Sequence, residues 1–129
     1  MNLLYLHGFN SSPDSTKAKI FQSFVKKKKS KSLLVPDLPI SPTETILLLE
    51  EIIKDINKEV SLIGSSLGGF YAAYLAEKYK LKSVLINPVV SPHLKNMEDL
   101  VGEHENYNTG EKYFFSKSNF EELFDYKIR

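Results

Sequence analysis

Two stretches of this chain hold residue types at spacings that could do chemistry: Gly64-Ser65-Ser66-Leu67-Gly68 and, near the N-terminus, His7-Gly8-Phe9-Asn10. The first has the G-x-S-x-G form of a nucleophile elbow, a sharp strand-to-helix turn that lifts a serine Oγ clear of a sheet. Small residues flank the serine because side chains there would collide with the neighbouring strand and helix. The spacing alone is common, and its setting is what informs. An apolar run (Val60, Leu62, Ile63) leads into it, and a stretch rich in alanine, tyrosine and leucine leads out. Ser66 is therefore the candidate nucleophile of an acyl transfer. The rival reading is a glycine-rich turn that packs closely or binds phosphate. Against it, no Lys-Ser or Lys-Thr follows the glycines as in a P-loop, and the spacing is not G-x-G-x-x-G.

An acyl-transfer enzyme must hold a tetrahedral oxyanion with preorganised donors. One is the backbone N–H of the residue after the nucleophile, here Leu67. The second should come from the loop after an adjacent strand, which makes the Phe9 N–H the candidate. His7 is read as a structural residue of that loop rather than as the base.

A serine nucleophile also needs a base, and the base an orienting acid, in the chain order serine, acid, histidine for this kind of fold. Downstream of Ser66 the only histidines are His93 and His104. Asp99, Glu103 and Asp125 qualify as orienting acids by chain order alone, and all five read more simply as surface residues. No buried strand with an acid behind it follows Phe115. The second and third triad members are therefore missing from their expected positions. Three readings follow: a piece of a longer chain, a base recruited from within, or a non-catalytic derivative.

The elements that must position these residues alternate. Leu3–Leu6 is a short strand, since a glycine and the Asn10-Ser11-Ser12-Pro13 loop close it. Asp14 or Ser15 caps a helix from about Thr16 to Lys29, with Ile20, Phe21, Phe24 and Val25 at helical spacing. Ser32–Val35 is a second strand. Thr43 opens a second helix, about Glu44 to Asn57, and Glu59–Ile63 is a third strand. Ser66–Lys80 is a third helix and Lys82–Ile86 a fourth strand. Strand then helix, repeated, predicts a parallel sheet with helices on both faces. Beyond Pro92 the pattern fades. A short helix over His93–Leu100, a polar loop over Gly102–Gly110, a brief strand at Tyr113–Phe115 and a last helix capped by Ser118 or Asn119 are expected.

At 129 residues the chain reads as one domain, 1–129. The net charge of +1 provides no field for nucleic acid, and the absence of cysteine excludes disulfides, thiol catalysis and thiolate metal sites within these residues. The first apolar run stops at Leu6 without a basic lead-in, too short for a signal peptide, and no apolar run is long enough for a membrane span. A cytoplasmic setting is the expectation. The lysine run Lys26–Lys29, with Lys31, falls at a helix C-terminus, where positive charge complements the helix dipole.

The segment Leu4-Tyr5-Leu6-His7-Gly8-Phe9-Asn10-Ser11-Ser12-Pro13 resembles the opening of the YqiA-like esterase family of α/β-hydrolases. The resemblance continues through Ser15-Thr16-Lys17-Ala18, Pro36-Asp37-Leu38-Pro39, the elbow Ile63–Ala72, Asn87-Pro88-Val89-Val90 with Pro92, and Gly102-Glu103, Glu105-Asn106 and Thr109-Gly110. It implies a three-layer α/β/α fold with about four parallel strands in the order 2-1-3-4, a partial α/β-hydrolase. It further implies hydrolysis of short-chain carboxylic esters through an acyl-enzyme at Ser66, with Phe9 and Leu67 as oxyanion donors and no metal or organic cofactor. The partner expected is a small ester, not nucleic acid or membrane. A sheet that ends early would leave an open edge suited to homodimerisation.

Overall fold

The computed structural model describes residues 2–28, 31–56 and 59–128. Its main sheet has four parallel strands in the order β2-β1-β3-β4: β1 (Asn2–Leu6), β2 (Ser32–Leu34), β3 (Val60–Ser65) and β4 (Lys82–Ile86). This is the order the sequence predicts. The central pair β1–β3 sets Leu6 opposite Gly64, so both strands end level beneath the loops that carry the candidate site.

Strand side chains alternate between faces, and each face has its own cover. Leu4, Leu6, Val60 and Leu62 point into the larger core, built with α2 (Pro42–Ile56) and α3 (Leu67–Tyr79). Tyr5 and Ile63 point to the opposite face, under α1 (Thr16–Lys26), where Ala18 lies fully buried. Three layers result. Each leucine buried from water contributes about 1.5–3 kcal/mol, so the centre of the sheet is the firmest part of the scaffold.

Of the two caps offered for α1, Ser15 is the one used, its Oγ accepting the Ala18 N–H at 3.2 Å. The stripe expected on α1 is only half buried. Val25 and Phe21 face the sheet, while Ile20 is 60% and Phe24 53% exposed. A single helix covers this face, and its contact is narrower than its apolar stripe. Lysines complete the cover: the ammonium groups of Lys28 and Lys31 lie 5.6 and 5.9 Å from the centroid of the Phe24 ring. Expected helix ends at Lys29 and Asn57 fall outside the described residues. α2 starts at Pro42, earlier than Thr43, because Ser41 accepts the Glu44 N–H and proline fits the first helical position.

Beyond β4, the short helix expected over His93–Leu100 is a 3-10 helix that starts two residues earlier, Ser91–Leu100. The segment Gly102–Gly110, expected to be a loop, begins with a strand, β5 (Gly102–Glu105). It pairs antiparallel with β6 (Lys112–Phe115) as a separate two-stranded sheet. The last helix, α4 (Lys117–Glu122), is capped by Ser116, not Ser118 or Asn119. Ser116 and Asn119 form a reciprocal capping box. β4 is the edge strand nearest the elbow, and its Val84 is 60% exposed.

Candidate active site

The elbow forms where β3 runs out. Ser65 is the last residue of the strand and Leu67 the first of α3, so Ser66 alone makes the reversal, with φ 58° and ψ −119°. A non-glycine residue in that region costs about 1–3 kcal/mol and persists only where the surroundings over-determine it. They do so here through the backbone. The Ser66 N–H donates to Ile86 O at 2.9 Å, and Ser66 O accepts from Val89 at 2.9 Å and from Gly69 at 3.0 Å. Glycines permit the crossing: a Cβ on Gly68 would run into the carbonyl oxygen of Leu6, and one on Gly64 into that of Gly68.

The turn separates two adjacent serines. Ser65 is buried, and its Oγ accepts from the Lys17 ammonium at 3.3 Å. Ser66 is exposed while every neighbour from Leu62 to Ala72 is buried. Of the two hydroxyls, only that of Ser66 is presented to solvent.

The His7–Asn10 loop leaves β1 beside the elbow. A Cβ on Gly8 would stand 3.1 Å from Ser66 Cβ and 3.9 Å from Ser66 Oγ, so the loop lies against the serine. Phe9 and Leu67, the expected oxyanion donors, border one cavity of about 250 Å³ next to it. Leu67 stands at a helix N-terminus, where backbone N–H groups have no partner within the helix. Leu38, Pro39, Ile40, Tyr71, Asn106 and Tyr113 line the cavity as well.

His7 holds the loop, as its sequence position suggests. It is buried, its Nδ1–H donates to Gly8 O at 3.0 Å, and its Nε2 accepts the Leu38 N–H at 3.0 Å. These partners fix a neutral tautomer. Burial pushes its pKa below the ordinary imidazole value, against the smaller opposing pulls of the Gly8 carbonyl and the Asp37 carboxylate.

The other face of the loop rests on the β5–β6 hairpin, whose first strand reads in the sequence as part of a polar loop. The Tyr113 hydroxyl donates to Asn10 Oδ1 at 2.8 Å, the Asn106 amide to Ser11 O at 2.9 Å and the Tyr107 N–H to Asn10 O at 3.4 Å. The Phe9 ring sits edge-on to His104, Phe115 and Tyr113, at 5.1, 5.2 and 6.0 Å between centroids. Burial pushes the Tyr113 phenol up to about 12, so it remains a neutral donor. The one hint in the sequence was the run of aromatics ending at Phe115, whose members split: Tyr113 borders the cavity, Phe115 enters the core and Phe114 is exposed.

The candidate bases are not joined to the nucleophile. Among the described residues no histidine is hydrogen-bonded to Ser66 Oγ. His93 is exposed on the 3-10 segment, and His104 stacks on Tyr113 with Nε2 hydrogen-bonded to Leu100 O. Asp99, Glu103 and Asp125 are all exposed.

The sequence profile of an uncharacterised protein family, UPF0227, matches residues 2–126. The chain belongs to the UPF0227 family. A UPF0227 protein of Shewanella woodyi is 34% identical over 114 residues, covering 82% of this chain and 60% of that protein. Among solved structures, this UPF0227 chain is similar to α/β hydrolase domain-containing protein 10 from mouse, with a TM-score of 0.74 at 18% identity over 98% of the chain and 62% of the mouse protein. It is also similar to Est1E from Butyrivibrio proteoclasticus, solved with ferulic acid bound, with a TM-score of 0.65 at 13% identity over 99% of the chain and 61% of that one. The fold is that of the α/β-hydrolases, in line with the YqiA-like resemblance. The chain spans about three-fifths of the length of these relatives.

Proposed function

We propose that this UPF0227 member is a serine carboxylic-ester hydrolase acting on short-chain acyl esters, with Ser66 as nucleophile. The observation that carries the reading is the exposed Ser66, held at positive φ on a strand-to-helix elbow and lying against Gly8. Ser66 Oγ would attack the ester carbonyl as its proton passes to a base. The Phe9 and Leu67 N–H groups would hold the oxyanion, the alcohol would leave with a proton, and water would release the acid from the acyl-enzyme. His93 and His104 are the histidines within the chain that could serve as base. A base on the additional length that the relatives carry is the other source. The substrate partner is a small-molecule ester, and the setting is cytoplasmic.

A second reading, a non-catalytic module that self-associates, is favoured by one feature: β4 is an edge strand, and its Val84 and Leu85 are exposed.

Hydrolysis of p-nitrophenyl butyrate by the chain and by Ser66→Ala tests the first reading. Activity that falls by about a thousandfold or more in the variant supports it. Activity equal in both overturns it. Sedimentation velocity of the same samples tests the second, which a monomer at micromolar concentration would refute.

A further inference from the structure

We infer that the β5–β6 hairpin is a clamp on the oxyanion loop, and that Tyr113 and Asn106 are positioning residues that set where the Phe9 N–H points. This rests on the esterase reading above and adds to it a part of the molecule outside the main sheet.

The geometry argues for a clamp rather than ordinary packing. Between His7 and Ser12 the chain makes no ladder with any strand, so other groups must fix its path. His7 fixes the start, through Gly8 O and the Leu38 N–H. Ser12 fixes the end, its Oγ and carbonyl accepting the Asp14 and Ser15 N–H groups at 3.1 Å each, and the hydrogen bonds of Asn10 and Ser11 in between go to the hairpin. Asn10 is held at both its side chain and its carbonyl, Ser11 at its carbonyl, and the Phe9 ring between three rings. Asn10 also takes a left-handed backbone, φ 58°, which a free asparagine would leave readily. The Phe9 N–H lies between Gly8, where a Cβ would stand 3.1 Å from Ser66 Cβ, and Asn10, which accepts from the Tyr113 hydroxyl. Its direction is set by those two anchors. Removing the Tyr113 tether should let the loop relax and turn a donor away from the developing oxyanion while the cavity keeps its shape.

Asn106 serves two masters, which makes its tether separable from the fold of the hairpin. Its Oδ1 accepts from Asn108 at 2.8 Å and Thr109 at 3.1 Å and so shapes the β5–β6 turn, while its amide nitrogen reaches Ser11 O. Asn106→Asp keeps the acceptor for the turn and loses the donor to the loop. Tyr113→Phe keeps the ring against Phe9 and loses only the hydroxyl.

The test uses the full chain with butylboronic acid, which forms a tetrahedral adduct with a serine hydroxyl and places an oxygen where an oxyanion would stand. Adduct formation is followed by boron NMR in the wild type, Ser66→Ala, Tyr113→Phe and Asn106→Asp, beside steady-state hydrolysis of p-nitrophenyl butyrate and thermal melts. The clamp predicts an adduct that Ser66→Ala abolishes and that each tether variant weakens about tenfold or more, with kcat falling by a similar factor at unchanged KM and little change in melting. A Ser66-dependent adduct equal in strength in both tether variants overturns the clamp and leaves the esterase reading standing. No Ser66-dependent adduct in the wild type overturns the esterase reading, and the clamp with it. Loss of the adduct together with global unfolding in both tether variants assigns these residues a structural role alone, which also overturns the clamp.

Discussion

The elbow and the β5–β6 hairpin press on the same loop from opposite sides and are built by different means. The elbow is positioned by backbone. Its strand lies at the centre of the sheet, its glycines allow main chain to touch main chain, and Ser66 is bonded through its own N–H and C=O. The hairpin is a separate pair of four-residue strands, joined to the loop mainly through the side chains of Tyr113, Asn106 and Phe9. An isolated two-stranded hairpin is marginal in water, so this one depends on what it touches. A site thus draws its rigid half from local chain geometry and its adjustable half from side chains delivered from afar.

The contrast can be broken first at the glycines. Gly68→Ala sets a methyl group against the Leu6 carbonyl and is expected to cost about 3 kcal/mol, read from urea denaturation. Gly110→Ala, in the hairpin turn at φ 72° with its nearest neighbour 3.6 Å away, should lose only about 1 kcal/mol. Equal costs at the two positions would erase the distinction between a glycine required for close approach and one required for conformation.

Between these two in size falls His7, which belongs to the rigid side. His7→Ala leaves the part-buried Leu38 N–H without its acceptor and is expected to cost about 1–2 kcal/mol at neutral pH. The pH dependence has a definite sign. A histidine whose folded pKa is depressed contributes stability that is full above the ordinary imidazole value and is lost as pH falls through that value toward the folded one. Wild-type stability should therefore decline from about pH 6.5 downward, and His7→Ala should flatten that decline in denaturant midpoints measured across the range. The smallest effect is a gain. Lys80 closes α3 in a left-handed conformation, φ 56°, and Lys80→Gly should add about 0.5–1 kcal/mol, seen as a higher melting temperature with the hairpin unaffected.

The same contrast explains what could be read from the sequence. The elbow was legible because glycine spacing, an apolar strand before it and an apolar helix after it all lie within one short stretch. The His7-Gly8-Phe9 loop followed from the same local signals, and the strand order from the YqiA-like resemblance. Of the hairpin only the second strand was legible, at Tyr113–Phe115. Its first strand, Gly-Glu-His-Glu, has no apolar alternation, and its contacts reach residues separated from it by 95 and 103 positions, so it read as a polar loop. On α1 the failure was one of coverage. Periodicity located an apolar stripe, but it could not show that a single helix on that face leaves Ile20 and Phe24 in solvent, nor that Lys28 and Lys31 would lie over the Phe24 ring.

One further contact joins segments made far apart in time. The carboxylate of Glu122 accepts the Ser41 hydroxyl at 2.6 Å and the Thr43 N–H at 3.0 Å, across separations of 81 and 79 residues. Burial works against its charge, but these donors more than offset it and hold its pKa below the ordinary carboxylate value. α2 is therefore finished by an acceptor synthesised long after the helix itself. At translation speeds of about 5–20 residues per second, the first turn of α2 leaves the ribosome and waits roughly four to sixteen seconds for that partner. β3 and β4 are themselves made within that interval, so the bond that locks α2 to α4 becomes available only after the last strand of the main sheet.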